Sequence, residues 1–405
     1  MQPSPLIPAR GRFLHLIPDD KFIDAARGVF EEAFPGAHDY LVIGQPPLRY
    51  LRTFAPTCMQ LDRALDPKFL SSLQAYSTVF VHFLSDQARL IVASAPAATR
   101  FVWLGWGADF YHLIETRDKL WLPKTRSLLS SLHRHKSRAH DAWTRASSRL
   151  RRLAQPGKFA RLFAAQLELR RIGKNAPGEL ALINRFGAIA TPIFEDFEAI
   201  RRRNPGVRVP FLDWNYRVEG FNEHGGPTSP SGNDILLGNS ATPENNHVEA
   251  LEILSQCLPA GRRIVCPLSY GNKDYGDAIE QRGKALFGER FVALREYMPS
   301  SAYVQIVESC SVLIMNHIRQ QALGNIVIAL CSGARVFLNP DSPINRTMQR
   351  IGIKVGTTNS LPDFFAKAEV GVTLIELQFT RKKIEDHFGR ASVLHRTRTL
   401  LNKLR

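Results

Sequence analysis

The chain has 405 residues, 44% of them hydrophobic, which suits a globular protein of two or three domains. No apolar run approaches the roughly 18 residues of a spanning helix, and the first twenty residues, apolar only from Phe13 to Ile17, do not read as a signal peptide. The net charge is +16, and the five cysteines form no CxxC pair, so reduced thiols and an anionic partner are expected.

Arg12 to Ile17 reads as a first strand, with Pro18-Asp19-Asp20 as the loop behind it. Lys21 to Phe34 has a helical period (Phe22, Ala25, Ala26, Val29, Phe30, Ala33), and Tyr40 to Ile43 is a second strand, so the chain opens as a βαβ unit. Val79 to Leu84, containing His82, and Phe101 to Leu104 are further strands. His82 is either a core histidine bonded to backbone or a site residue. After Phe101 to Leu104 come Gly105-Trp106-Gly107-Ala108-Asp109-Phe110-Tyr111. Glycines on both sides of Trp106 permit a tight turn near a ligand, and rings beside a carboxylate suit a sugar. Asp109 equally suits a helix cap.

From Arg117 to Lys174 there are sixteen Lys or Arg against Asp118, Asp141 and Glu168. Leu128, Leu129, Leu132, Leu150, Leu153, Phe159, Leu162, Phe163 and Leu167 recur among them at loosely helical spacing. The pattern fits basic amphipathic helices on an anionic membrane, or a charged face packed on its own domain. His133, His135 and His140 are interleaved with Arg134, Lys136 and Arg138, which disfavours a metal there. Leu180 to Phe186 reads as a strand, Pro192 to Ile200 as a short helix, and Val207 to Leu212 as an irregular strand. Phe221 to Asn233, rich in Gly, Pro and Ser, reads as the linker between a domain of residues 1–221 and one of residues 222–405.

The second half starts with a strand, Ile235 to Leu237, followed by Gly238-Asn239-Ser240. Thr242 reads as an N-cap and Pro243 as the first residue of the next helix. A Gly-Asn-Ser turn between strand and helix presents N–H groups to an anion. Arg263 to Pro267 is a strand leading to Tyr270 and Gly271, Phe291 to Leu294 is the next, and Ser300 to Cys310 is a helix. Val312 to Met315 is a short apolar run of the kind found in buried parallel strands. It is followed by Asn316, His317, Arg319, Gln320 and Gln321, then by Gly324, Asn325 and a second apolar run, Ile326 to Cys331. Five donors and no acid at a strand end suit a phosphate or diphosphate, although Asn316 and Gln320 are also ordinary backbone caps. Val336 to Leu338 is one more strand, and Phe379 to Arg405 reads as helices with a basic end.

Four ordered motifs make the reading more specific: Trp106-Gly107-Ala108-Asp109 with Tyr111, Ile235 to His247, Pro267 to Gly271, and Arg319-Gln320-Gln321 with Gly324. Together they resemble the TDP-4-acetamido-4,6-dideoxygalactose (Fuc4NAc) transferases that complete the lipid-linked repeat unit of enterobacterial common antigen. The resemblance runs from about Arg12 to about Asn345, while the segment from about Leu128 to Arg170 departs from it in length and charge. It implies an α/β protein of the GT-B type, with two Rossmann-like domains facing an interdomain cleft. The C-terminal domain would hold a TDP-sugar through Gly238, Asn239, Ser240, Tyr270, Gly271, Asn316, His317, Arg319, Gln320, Gln321, Gly324 and Asn325. The N-terminal domain would receive a lipid-linked saccharide at Trp106 and Tyr111. Asp109 is the candidate base, with His82 as its substitute. No Asp-x-Asp pair is present to hold a divalent ion, so no metal or cofactor is expected, and cations and helix N-termini would stabilise the leaving group. The resemblance implies an enzyme on the cytoplasmic face of a bacterial inner membrane with no nucleic-acid partner, and the charge of the 117–174 segment suits holding it to anionic lipid there. Two other readings are a GT-B enzyme transferring pyruvyl or phosphoglycerol, and a non-enzymatic RNA- or membrane-binding protein built around the basic segment.

Overall fold

The structure, a computed structural model, describes residues 6–135, 176–218, 229–367 and 371–405. Twelve strands among these residues form two six-stranded sheets, parallel throughout. The first sheet has β1 (Phe13–Ile17), β2 (His38–Ile43), β3 (Thr57–Met59), β4 (Thr78–His82), β5 (Phe101–Leu104) and β6 (Phe186–Ala190) in the order β3-β2-β1-β4-β5-β6. The second has β7 (Asp234–Leu237), β8 (Ile264–Pro267), β9 (Phe291–Leu294), β10 (Cys310–Met315), β11 (Arg335–Leu338) and β12 (Gly356–Thr357) in the order β12-β11-β10-β7-β8-β9. Read from β9, that is the same doubly wound order, so each sheet is Rossmann-like. The inner strands are mostly apolar because helices cover both faces; β1, Phe-Leu-His-Leu-Ile, is buried at every position, His15 included.

The first unit comprises residues 6–114, 176–217 and 390–405 of those described, and the second comprises 115–135, 218, 229–367 and 371–389. Two segments therefore lie outside the simple 1–221 and 222–405 division. Helix Pro123–His135 sends Leu129 into the second unit's core, with Trp121 and Leu128 packed beside it. Its apolar stripe is thus used in domain packing. Helix Arg390–Leu404 places Leu400 and Leu401 against Phe13, Phe30 and Trp214 of the first unit. Its Val393 and Leu394 meet Val29. The remainder of the basic segment (136–174, with the side chains of His133 and His135) and most of the expected linker (219–228) lie outside the described residues.

Other sequence expectations shift locally. Residues Ala176–Ile183 are helical and the strand begins only at Phe186, since a short apolar run has no period to separate strand from buried helix. The expected helix at Pro192 runs Phe194–Arg203. Val207 to Leu212 forms no strand, only a bridge between Ile189 and Phe211. Pro210 lacks the N–H that a continued ladder needs there. Pro243 opens a 3-10 turn, Pro243–Asn245, and the helix itself starts at His247 after Asn246 turns left-handed, with φ 50°. Ile326 to Cys331 lies within helix Leu323–Cys331. All five cysteines are free, and Cys266, Cys310 and Cys331 are buried.

Candidate active site

In a doubly wound sheet, loops diverge where the strand order reverses, and ligands bind there beyond the carboxyl ends of the strands. In the second unit that point lies between β7 and β10. β7 ends in the Gly238-Asn239-Ser240 turn and β10 in Asn316-His317. His317 Nε2 lies 2.9 Å from Asn245 Oδ1 and 3.2 Å from Asn239 Oδ1, so the proton sits on Nε2. Burial, with Arg319 and His247 nearby, holds this imidazole well below its ordinary pKa. Gln321 Nε2 donates to Asn239 Oδ1 (2.9 Å) and Thr242 Oγ1 (3.2 Å). Asn239 Nδ2 donates to the hydroxyl of Tyr270 at 3.0 Å, and the Tyr270 ring is 56% exposed, leaving a face for stacking.

Helix Leu323–Cys331 follows β10, entered through a left-handed Ala322 (φ 58°) with no side-chain cap. Gly324 and Asn325 occupy its first turn, whose N–H groups are suited to an anion. Glu244, the carboxylate on the adjoining loop, accepts from Arg117 Nε at 3.1 Å.

Two glycines shape this edge. At Gly238 (φ +69°) a Cβ would stand 2.4 Å from His247 Nε2 and 2.7 Å from Asn245 Oδ1. At Gly271 (φ +116°) it would stand 2.6 Å from the carbonyl carbon of Ala241. There the loops after β7 and β8 are zipped by Ala241 N–H to Tyr270 O (2.7 Å) and Asn272 N–H to Ala241 O (2.9 Å). Only glycine permits both approaches.

Some expected donors have structural duties. Asn316 is buried; its Nδ2 donates to Asn246 O (3.0 Å), its Oδ1 accepts from Asn339 Nδ2 (2.8 Å), and Asn246 Nδ2 returns a bond to Asn316 O (3.1 Å). It ties β10 to the neighbouring elements and does not face a ligand, as the backbone-capping alternative held. Ser240 is buried against Thr242 and Asn245. Asn325 Nδ2 is held by the Tyr303 hydroxyl at 2.7 Å. Gln320 is buried.

The first unit reverses order between β1 and β4. A pocket of about 340 Å³ lies at that edge, lined among others by Ile17, Asp19, Gln45, His82, Phe83 and Ser85. Phe83 is a non-glycine residue at φ 66°, a strain of about 1–3 kcal/mol that commonly marks a site. Asp109 is not available as a base. Its Oδ2 accepts from Leu84 N–H (2.9 Å) and Trp103 Nε1 (2.8 Å), and its Oδ1 accepts from Trp106 N–H (2.9 Å) and Gly107 N–H (3.1 Å). Four donors fill a 4% exposed carboxylate, which makes Asp109 the organiser of the Trp106 turn. Tyr111 is also structural: it is buried, and its hydroxyl donates to Asp196 Oδ1 at 2.7 Å. Trp106 is half-buried between Phe22, Phe83 and Tyr216.

His82 lines the pocket, but both ring nitrogens are engaged. Nδ1 meets the Tyr216 hydroxyl at 2.6 Å and Nε2 meets His15 Nδ1 at 2.9 Å; His15 Nε2 in turn meets His38 Nδ1 at 2.9 Å. Burial lowers His82 to about 3 and His38 to about 4, so the row is neutral. A saturated imidazole of such low basicity is a poor base. The loop after β1 supplies a better group. Asp19 is consumed by the N–H groups of Arg49, Tyr50 and Leu51 (2.6, 2.9 and 3.1 Å). Asp20 accepts from Phe22 N–H at 3.1 Å, and burial raises its carboxyl above the usual range.

Residues 193–375 match the family described as 4-alpha-L-fucosyltransferase, glycosyl transferase group 56. The chain is a glycosyltransferase. Solved structures similar to it include Anabaena HepE in complex with UDP and glucose (11% identity, TM-score 0.60, covering 97% of this chain and 99% of that one). Sucrose-phosphate synthase from Thermosynechococcus elongatus is 9% identical, with TM-score 0.59 over 98% of this chain and 99% of that one. The trehalose-6-phosphate synthase OtsA is 8% identical, with TM-score 0.56 over 97% and 98%. Identities this low speak to fold alone, and the fold is GT-B.

In this glycosyltransferase the residues that sequence reasoning did not assign to the site are Asp20 and, quoted only as part of the Ile235 to His247 motif, Asn245, Asn246 and His247. The polar run Glu244-Asn245-Asn246-His247 read as the first turn of a helix. Its burial at a sheet edge is what distinguishes it, with Asn246 and His247 wholly inaccessible. Nothing in Pro18-Asp19-Asp20 marked one acid over the other.

Proposed function

We propose that the enzyme transfers a deoxyamino sugar of the Fuc4NAc kind from a TDP-sugar to a polyprenyl-diphosphate-linked saccharide in bacterial surface polysaccharide synthesis. The observation that carries this reading is the β7/β10 edge, where His317, Asn239, Gln321, the Gly238 turn and an uncapped helix N-terminus gather, and where Glu244 of the adjoining loop is paired through Oε1 with Arg117. That chemistry suits a diphosphate. The group 56 match over residues 193–375 supports the deoxy-sugar class. An acceptor hydroxyl attacks the anomeric carbon, the bond from that carbon to the diphosphate oxygen breaks, and negative charge collects on the leaving diphosphate. Arg319 and the first-turn N–H groups of Leu323–Cys331 would offset that charge. The hydroxyl's proton passes to Asp20, whose carboxyl pKa is raised by burial above its ordinary range.

The pocket beside His82 and Phe83, with its apolar walls and polar rim, suits the acceptor saccharide. Activity is expected to persist in excess chelator, since the diphosphate subsite rests on amides and cations. Work on a lipid-linked acceptor would place the enzyme at the cytoplasmic face of the inner membrane. The basic run from Arg117 to Lys174 supports this, because each Lys or Arg near anionic lipid contributes roughly 1 kcal/mol. Vesicle sedimentation that is salt-sensitive, and weaker when Arg145, Arg149, Arg151 and Arg152 are changed to Ser, is the expected outcome. The decisive experiment is a donor screen of TDP- and UDP-sugars with a lipid-linked saccharide acceptor. Transfer of sugar from UDP donors alone, or none from any TDP-deoxyamino sugar, would sink the donor assignment.

A further inference from the structure

His247 is the first residue of helix His247–Cys257 and is 0% exposed. Its Nδ1 and backbone N–H meet the Tyr275 hydroxyl at 3.2 and 3.3 Å, while its Nε2 is buried with no hydrogen-bond partner. That nitrogen lies beneath Gly238, 2.4 Å from where a Cβ would be. Asn245 Oδ1, 2.7 Å from the same point, is the oxygen that holds His317 Nε2 at 2.9 Å. Two imidazoles thus converge under the turn that ends β7. An orphaned ring nitrogen is costly to bury, and its position at the switch point suggests what relieves it.

The surrounding charges favour a bound anion. Glu244 is paired with Arg117. Glu249, on the helix of His247, is occupied by Thr125 Oγ1 (2.6 Å) and by the N–H groups of Lys124 and Thr125 (2.8 and 2.9 Å). The hydroxyls near the pair, Tyr275 and Tyr270, are neutral at pH 7, and Arg319 is the cation beside His317. Burial keeps both imidazoles uncharged, His247 at about 3 and His317 well below its ordinary value, the latter lowered further by Arg319. A diphosphate supplies the opposite charge that this cluster lacks.

We propose that His247 and His317 form a proton-accepting pair of the diphosphate subsite, so that binding a nucleotide sugar at the Gly238–Ser240 turn draws one proton from solvent onto the pair. The proposal rests on the reading of this edge as the diphosphate site. The proton then remains beside the leaving group, where it offsets the charge that develops as the glycosidic bond breaks.

The test is calorimetric titration of TDP-glucose and UDP-glucose into the full chain at pH 7, in PIPES, HEPES and Tris. These buffers differ in ionisation heat, and the diphosphate of a nucleotide sugar does not itself titrate near neutrality. The expected result is uptake of about half to one proton, with affinity falling by up to about tenfold per pH unit as pH rises. His247→Gln and His317→Gln keep a side chain that donates and accepts hydrogen bonds but does not titrate; at least one should bind with reduced uptake and a flatter pH profile. If His247→Gln does not fold, His317→Gln carries the comparison. Binding by the wild type without proton uptake, or uptake unchanged in both variants, overturns the pair and leaves the diphosphate subsite standing. Failure of both nucleotide sugars to bind overturns the subsite and the pair together.

Discussion

At the β7/β10 reversal the side chains are amides, imidazoles and a guanidinium, whereas the pocket at the β1/β4 reversal is lined by Asp19, aliphatic side chains, Phe83 and His82. The strand order is the same in both units, so topology places a crevice in each and says nothing of what fills it. The first edge has the chemistry that suits negative charge. The second is lined by one carboxylate, Asp19, with Asp20 next to it in the chain, and by no Lys or Arg among the described residues, which suits a neutral hydroxylated group.

The comparison is broken most forcefully at Asp20. Asp20→Asn is nearly isosteric, and turnover should fall about 10²–10⁴-fold while TDP binding is retained; loss of binding with turnover intact would reverse the roles of the two edges. Asp109→Asn separates a turn organiser from a base. An N–H group placed among four N–H donors should cost the first unit about 3 kcal/mol of stability, read as a lower denaturation midpoint. A variant of unchanged stability and greatly reduced turnover would return Asp109 to catalysis. Arg319→Ala removes a charge-assisted contact of about 1.5–3 kcal/mol, so TDP affinity should fall roughly 10–100-fold by calorimetry. Unaltered affinity would remove the guanidinium from the subsite.

The smallest effect concerns acid. His15, His38 and His82 in the first unit and His247 and His317 in the second all have pKa values lowered by burial. Unfolded, each binds a proton near 6.5, so between that pH and the folded value the unfolded chain holds more protons. The stability from these groups is therefore complete above about pH 6.5 and falls as pH drops, by about 1.4 kcal/mol per unit per imidazole. Denaturant titrations at pH 7.5 and 5.5 should show both units weakened and the first, with three such groups, weakened more. Equal midpoints at the two pH values would mean that the imidazoles are solvated.

Much of this was legible from residues alone. Short apolar runs ending in polar clusters located β1, β5, β7, β9, β10 and β11, because a parallel strand buried on both faces admits little else. The donor cluster at Asn316–Gln321 was legible for the same reason: polarity directly after such a strand points to its carboxyl end. Less could be told of which side chains face a ligand. Asn316 and His317 are neighbours of similar chemistry, yet one is turned into a backbone handshake with Asn246 and the other toward Asn239.

The sequence by itself determined the class of the fold, two parallel α/β units, and the polar cluster that follows β10, since hydrophobic period and local polarity are properties of contiguous residues. Tertiary structure alone decided the division of labour among polar groups. Asp109 is saturated by donors from β5, from the loop after β4 and from its own turn, and His82 is spent on His15, 67 residues away. His247 is stranded under Gly238, and helix Arg390–Leu404 completes the first unit's core from the far end of the chain. Each outcome depends on hydrogen-bond capacity and burial between residues distant in sequence, quantities that no local pattern encodes.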